Sequence, residues 1–86
     1  MDLSKIILEA LKSNNVIIGY KKSIAFLKLN KPKLIVIANN APERIRKEIE
    51  YNAKIAGVRV EITDSNSKEL GVLCGKPFPV TTLVIK

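Results

Sequence analysis

The chain has no histidine and a single cysteine, Cys74, among its 86 residues. The first absence removes the side chain that most often serves as a base or metal ligand near neutral pH. The second excludes an internal disulfide and any paired-cysteine metal site. A glycine-rich phosphate loop is missing too: Gly19 and Gly57 stand alone, and Gly71 with Gly75 lack the GKS or GKT ending. The first residues carry an acid and a lysine and no long apolar run, so neither a signal peptide nor a membrane anchor is expected. Acidic residues are also absent between Glu9 and Glu43, where Lys12, Lys21, Lys22, Lys28, Lys31 and Lys33 fall. The expectation is a cytosolic protein with no metal and no cofactor.

What the chain does have is charge and short apolar blocks. Its net charge of +7 points to a polyanionic partner such as nucleic acid, and less to a membrane surface. The plainer reading is a solubilising lysine coat. Nearly half the residues are apolar, and the length suits one globular domain over residues 1–86. The acids Glu43, Glu48, Glu50 and Glu69 fall at helix caps or on ion-paired faces. Cys74 has no histidine to activate it and reads as a small buried hydrophobe. Catalysis is therefore not expected.

Leu3, Ile6, Ile7, Ala10 and Leu11 repeat as one helical face, predicting a helix to about Ser13 with Asp2 as its cap. Val16-Ile17-Ile18 is a short buried strand stopped by Gly19, and residues 23–29 read as a second helix. Leu34-Ile35-Val36-Ile37-Ala38 is the most strand-like segment and should be central. Ile45, Ile49, Ala53 and Ala56 mark a helix over residues 41–56 that Gly57 closes, with Glu43–Lys47 and Glu50–Lys54 as surface pairs. Asn40 is expected to cap this helix, with Pro42 in its first turn and Glu43 reaching back. That leaves Asn39 without a structural reason. Val58, Val60 and Ile62 alternate with Arg59 and Glu61 as a strand near an edge or with one wetter face, and Asn66 with Glu69 makes a capping box for a short helix that Gly75 ends. Residues 81–85 form the closing strand.

The order helix, strand, repeated four times, is that of an α/β domain with helices on both faces of a four-stranded sheet. The turns after the first two strands then sit at carboxyl ends, where open α/β sheets bind ligands. Gly19-Tyr20-Lys21-Lys22-Ser23 places two lysines and a hydroxyl at a helix start, a setting that favours phosphate. Its alternative is a plain turn glycine with solvated lysines. In Lys76-Pro77-Phe78-Pro79-Val80 the prolines stiffen the loop around an aromatic ring, which either meets an unstacked base or tucks into the core.

Taken in order, Gly19-Tyr20-Lys21-Lys22-Ser23, the run from Lys33 to Ala41, Ile49-Glu50-Tyr51 and the run from Glu69 to Lys76 resemble the archaeal and eukaryotic L-thirty-e family of large-subunit ribosomal proteins. The resemblance spans almost the whole chain and lies within the superfamily that binds kink-turn RNA. It implies a three-layer α-β-α sandwich with a four-stranded mixed sheet, and RNA contacts from three loops at one end of that sheet. Carried over by position, the contacts are Gly19, Lys21, Lys22 and Ser23 in the first loop and Asn39, Asn40 and Arg44 in the second. The third loop adds Gly75, Lys76, Pro77, Phe78, Pro79 and Val80. Related kink-turn proteins with a Gly-Ala-Asn-Glu first loop differ at Tyr20-Lys21-Lys22. The sequence ends at Lys86, where several relatives continue, so tail contacts are not carried over.

The function implied is a structural constituent of the large ribosomal subunit that binds ribosomal RNA, at a kink-turn or a similar purine-rich internal loop. Its setting is the cytoplasmic ribosome, with neighbouring ribosomal proteins as further partners, no membrane, and a monomer when free. The alternative is a non-ribosomal protein-interaction or regulatory module on the same fold. A small phosphate-handling enzyme using Cys74 or Glu69 ranks last.

Overall fold

The computed structural model describes residues 3–86. Helices and strands alternate as α1 (Leu3–Lys12), β1 (Val16–Ile18), α2 (Tyr20–Leu29), β2 (Leu34–Ile37), α3 (Glu43–Ala56), β3 (Val60–Ile62), α4 (Ser67–Leu73) and β4 (Thr82–Ile85). The four strands form one mixed sheet in the order β1-β4-β2-β3. β4 runs antiparallel to β1 and β2, and β3 runs parallel to β2. β1, β2 and β3 therefore all finish at the edge of the sheet where β4 begins, and every connection at that edge shares one end of the molecule.

The period-two alternation of the central strands sorts the core into two layers. Ile35 and Ile37 of β2 pack with Ile24 and Leu27 of α2 and with Ile49 and Ala53 of α3. Val36 and Ala38 face the other way, onto Ile7 and Ala10 of α1 and onto Leu70 and Cys74. Ile35, Val36, Ile37, Leu83 and Val84 are each 0% exposed. At about 1.5–3 kcal/mol for each fully buried aliphatic side chain, they outweigh the helix-surface ion pairs by a wide margin. The result is a three-layer α-β-α sandwich, as expected.

Several local expectations need correction. α2 starts at Tyr20, three residues before the predicted Ser23, because Gly19 serves as its N-cap. The N-cap of α3 is Pro42, with no side-chain cap bond, so Asn40 does not cap that helix. The outer face of α3 pairs Lys47 with Glu43 at 3.1 Å as predicted, but Glu50 meets Arg46 at 3.9 Å rather than Lys54. Gly57 does close α3 in the left-handed region, at φ 71° and ψ 35°. β3 is an edge strand, shorter than its apolar alternation suggested. The cap assigned to Asp2 lies outside the described residues.

Candidate nucleic-acid interface

Gly19 joins β1 to α2 with φ 117° and ψ 147°, a conformation nearly confined to glycine. Its backbone is held on both sides. The Gly19 N–H donates to the Thr82 carbonyl at 3.0 Å, and its own carbonyl accepts from Ser23 N–H at 3.0 Å and Ser23 Oγ at 2.6 Å. A Cβ added at Gly19 would meet nothing within 4 Å, so the backbone here lies open to a close-approaching ligand. Lys21 and Lys22 occupy the first turn of α2 and are exposed. Ser23 is 0% exposed, and its hydroxyl is turned down onto Gly19.

The second loop, after β2, is a turn closed by Ala41 N–H on the Ala38 carbonyl at 3.1 Å. Both asparagines on it are exposed, and both brace the connection between β3 and α4. Asn39 donates its backbone N–H to Ser65 O at 3.0 Å and its Nδ2 to Asp64 O at 2.6 Å. A carbonyl can only accept, so this bond fixes the amide and leaves Oδ1 as the free end, without a donor among the described residues. Asn40 Oδ1 accepts from Ser67 N–H at 2.7 Å, and its Nδ2 donates to Ser67 Oγ at 3.3 Å. Asn40 thus satisfies an orphan N–H at the start of α4, two connections away from the helix it was expected to cap. Asn39, read from sequence as free of structural work, has some after all. Arg44 is exposed in the first turn of α3.

The third loop, residues 74–81, leaves α4 through Gly75 at φ 70°. Lys76, Pro77, Phe78 and Pro79 are exposed, with Phe78 at 51%. Of the two readings of Phe78, the exposed one holds. Val80 instead belongs to the core at 2% exposure. Gly71 sets the height of the loop: a Cβ there would lie 2.2 Å from the Phe78 carbonyl oxygen. Sequence reasoning missed this role, although a glycine inside a helical pattern was its signal. It also missed residues 63–66 as a fourth connection at this end, because the Asn66–Glu69 capping box, which is present, explains those residues locally.

Lys21, Lys22, Arg44, Lys68 and Lys76 make no ion pair among the described residues, so their charge is available to an anion. Burial pushes the Cys74 thiol up, and the ammonium of Lys76 pulls it partly back. Such a thiol is a poor nucleophile. No helix here is long and apolar enough to cross a membrane, and no three metal-ligating side chains meet among the described residues.

A mixed sheet covered on both faces, with basic and amide side chains gathered at the carboxyl ends of its parallel strands, defines a three-layer α/β fold with one basic end. The pattern of the ribosomal protein L7Ae/L30e/S12e/Gadd45 family matches residues 1–86, and the chain belongs to that family. It is 45% identical over 86 residues to the large ribosomal subunit protein eL30 of Methanothermobacter thermautotrophicus, covering 100% of this chain and 88% of that one. The corresponding protein of Methanocaldococcus jannaschii is 40% identical over 85 residues, covering 99% of this chain and 77% of its own length. Among solved structures, the Giardia lamblia 15.5kD RNA binding protein superposes with a TM-score of 0.86 at 19% identity, covering 96% of this chain and 69% of the other. At that identity the likeness speaks for the fold.

Proposed function

We propose that this protein is a structural constituent of the large ribosomal subunit, not an enzyme, and binds ribosomal RNA with the loop end of its sheet. The observation that carries this is the topology: antiparallel insertion of β4 between β1 and β2 brings the lysine-bearing, asparagine-bearing and Pro-Phe-Pro loops to one end. The names of its archaeal relatives supply the ribosomal setting, and with it the cytoplasm. Ribosomal RNA is the partner, neighbouring ribosomal proteins are further ones, and the free protein is a monomer.

The RNA element is a kink-turn or a similar purine-rich internal loop. Lys21, Lys22, Arg44 and Lys76 hold phosphates, and the open backbone of Gly19 lets the RNA approach. The free Oδ1 of Asn39 accepts from a base N–H, and the half-exposed Phe78 ring, braced by Pro77 and Pro79, covers an unstacked base. Asn40 and Gly75 shape the rim. Ser23 and Val80, both buried, support the first and third loops from beneath. Titration of a kink-turn hairpin against a plain duplex of equal length tests the reading. Preference for the kink-turn supports it, and equal affinity points to the alternative module with a merely solubilising charge.

A further inference from the structure

Beyond the loop tips, the surface continues down the open side of β1, which has β4 as its one neighbour among the described strands. β1 faces β4 in the register Val16↔Ile85, Ile17↔Val84, Ile18↔Leu83. The flanking bonds, Lys86 N–H to Asn15 O at 2.8 Å and Gly19 N–H to Thr82 O at 3.0 Å, mark the odd-numbered residues of β1 as the hydrogen-bonded pairs. In an antiparallel ladder these alternate with pairs whose polar groups point away from each other, so Val16 and Ile18 turn N–H and C=O outward. They open into a groove of about 340 Å³ lined by Val16, Ile17, Ile18, Lys22, Lys76 and Phe78.

We propose that this groove holds one unpaired nucleotide of an RNA strand, with the base stacked on Phe78, its edge bonded to the outward backbone groups of β1, and its phosphates held by Lys22 and Lys76. The proposal rests on the RNA-binding reading above and extends it from the loop tips to the sheet edge. Three features select this occupant. The lining carries two ammonium groups and no carboxylate, which suits a polyanion. It combines an aromatic ring with apolar strand residues, the platform that single-stranded nucleic acids stack on. Only two residues of β1 face outward, too few for a peptide to add a strand of ordinary length, about five or six residues. Every base presents a donor beside an acceptor and a stacking face, so the groove discriminates little among bases.

The test uses isotopically labelled full-length protein, titrated with single-stranded tetra-adenylate, tetra-uridylate and AMP while amide resonances are followed. Both tetramers should shift the Val16 and Ile18 signals saturably, with affinities within about threefold of each other, and AMP should bind at least tenfold more weakly. Phe78→Ala should weaken tetramer binding by about tenfold. Val16→Pro removes an N–H that β4 does not use, so it should weaken tetramer binding while kink-turn affinity stays within about twofold. Backbone shifts elsewhere in this variant would show whether the fold is kept. Should it be lost, Ile17→Glu, which sets a carboxylate in the groove lining against the strand's phosphates, takes its place with the same expectation. Kink-turn binding with no tetramer-induced shift at Val16 and Ile18 would overturn the inference alone and leave the proposed function standing. AMP binding as tight as the tetramers, or shifts induced by an acidic peptide and not by RNA, would overturn the RNA strand as occupant.

Discussion

Replacing Asn39 with alanine removes two things at once, because its amide nitrogen tethers Asp64 while its oxygen faces outward. Loss of the tether should lower the unfolding free energy by about 0.5–1.5 kcal/mol in urea titrations. Loss of the acceptor should weaken kink-turn binding by about 1–3 kcal/mol and relax discrimination against altered loop bases. Asn40→Ala separates the two effects, since both ends of that amide are engaged with Ser67. It should cost a similar ~1 kcal/mol of stability with a smaller loss of affinity. At Cys74 the sign follows from burial: the folded state holds the thiol proton above the ordinary cysteine pKa of about 8.5. This contribution is complete below that pH and is lost as pH rises towards the folded-state value. Folded protein near pH 8 should therefore react with a thiol reagent far more slowly than urea-unfolded protein, and equal rates would contradict the buried placement.

At the scale of elements, the apolar periodicities were legible and the tethers between loops were not. Ile35 to Ile37, the stripe from Ile45 to Ala53 and the Asn66–Glu69 box each announce themselves within a few residues, because burial and capping act over a turn or a strand. Asn40 misled because its natural local job, capping α3, lost to a bond with Ser67, 27 residues away, and no sequence spacing records that. The start of α2 was misplaced because Ser23, a plausible helix starter, bonds back to the Gly19 carbonyl and lies inside the first turns. Within the candidate site, Lys21, Lys22, Lys76 and the two asparagines were singled out from sequence and are exposed, Lys68 was passed over, and the close approach that Gly71 permits depends on where the third loop folds back. Gly71→Ala puts a methyl into the Phe78 carbonyl. Overpacking of this kind costs about 1–3 kcal/mol, which thermal or urea unfolding would measure. It should also move Phe78 and weaken RNA binding, and a variant with unchanged stability and affinity would contradict the packing described.

For the whole molecule, the net charge of +7 and the single-ended arrangement of loops set different observables. Charge governs how affinity falls with salt, because each phosphate contact releases counterions. Lys21→Ala should reduce the slope of log affinity against log salt by about 1 and weaken every RNA alike. Shape and amide placement govern which RNA is preferred, and that preference should survive added salt better than the affinity itself does. The most direct measurement is a titration of the wild-type protein against a kink-turn hairpin and a duplex of equal length, at two salt concentrations. The account predicts that the kink-turn binds more tightly at both, with the gap kept or widened at the higher salt. Equal affinities, or a gap that vanishes as salt rises, would contradict it.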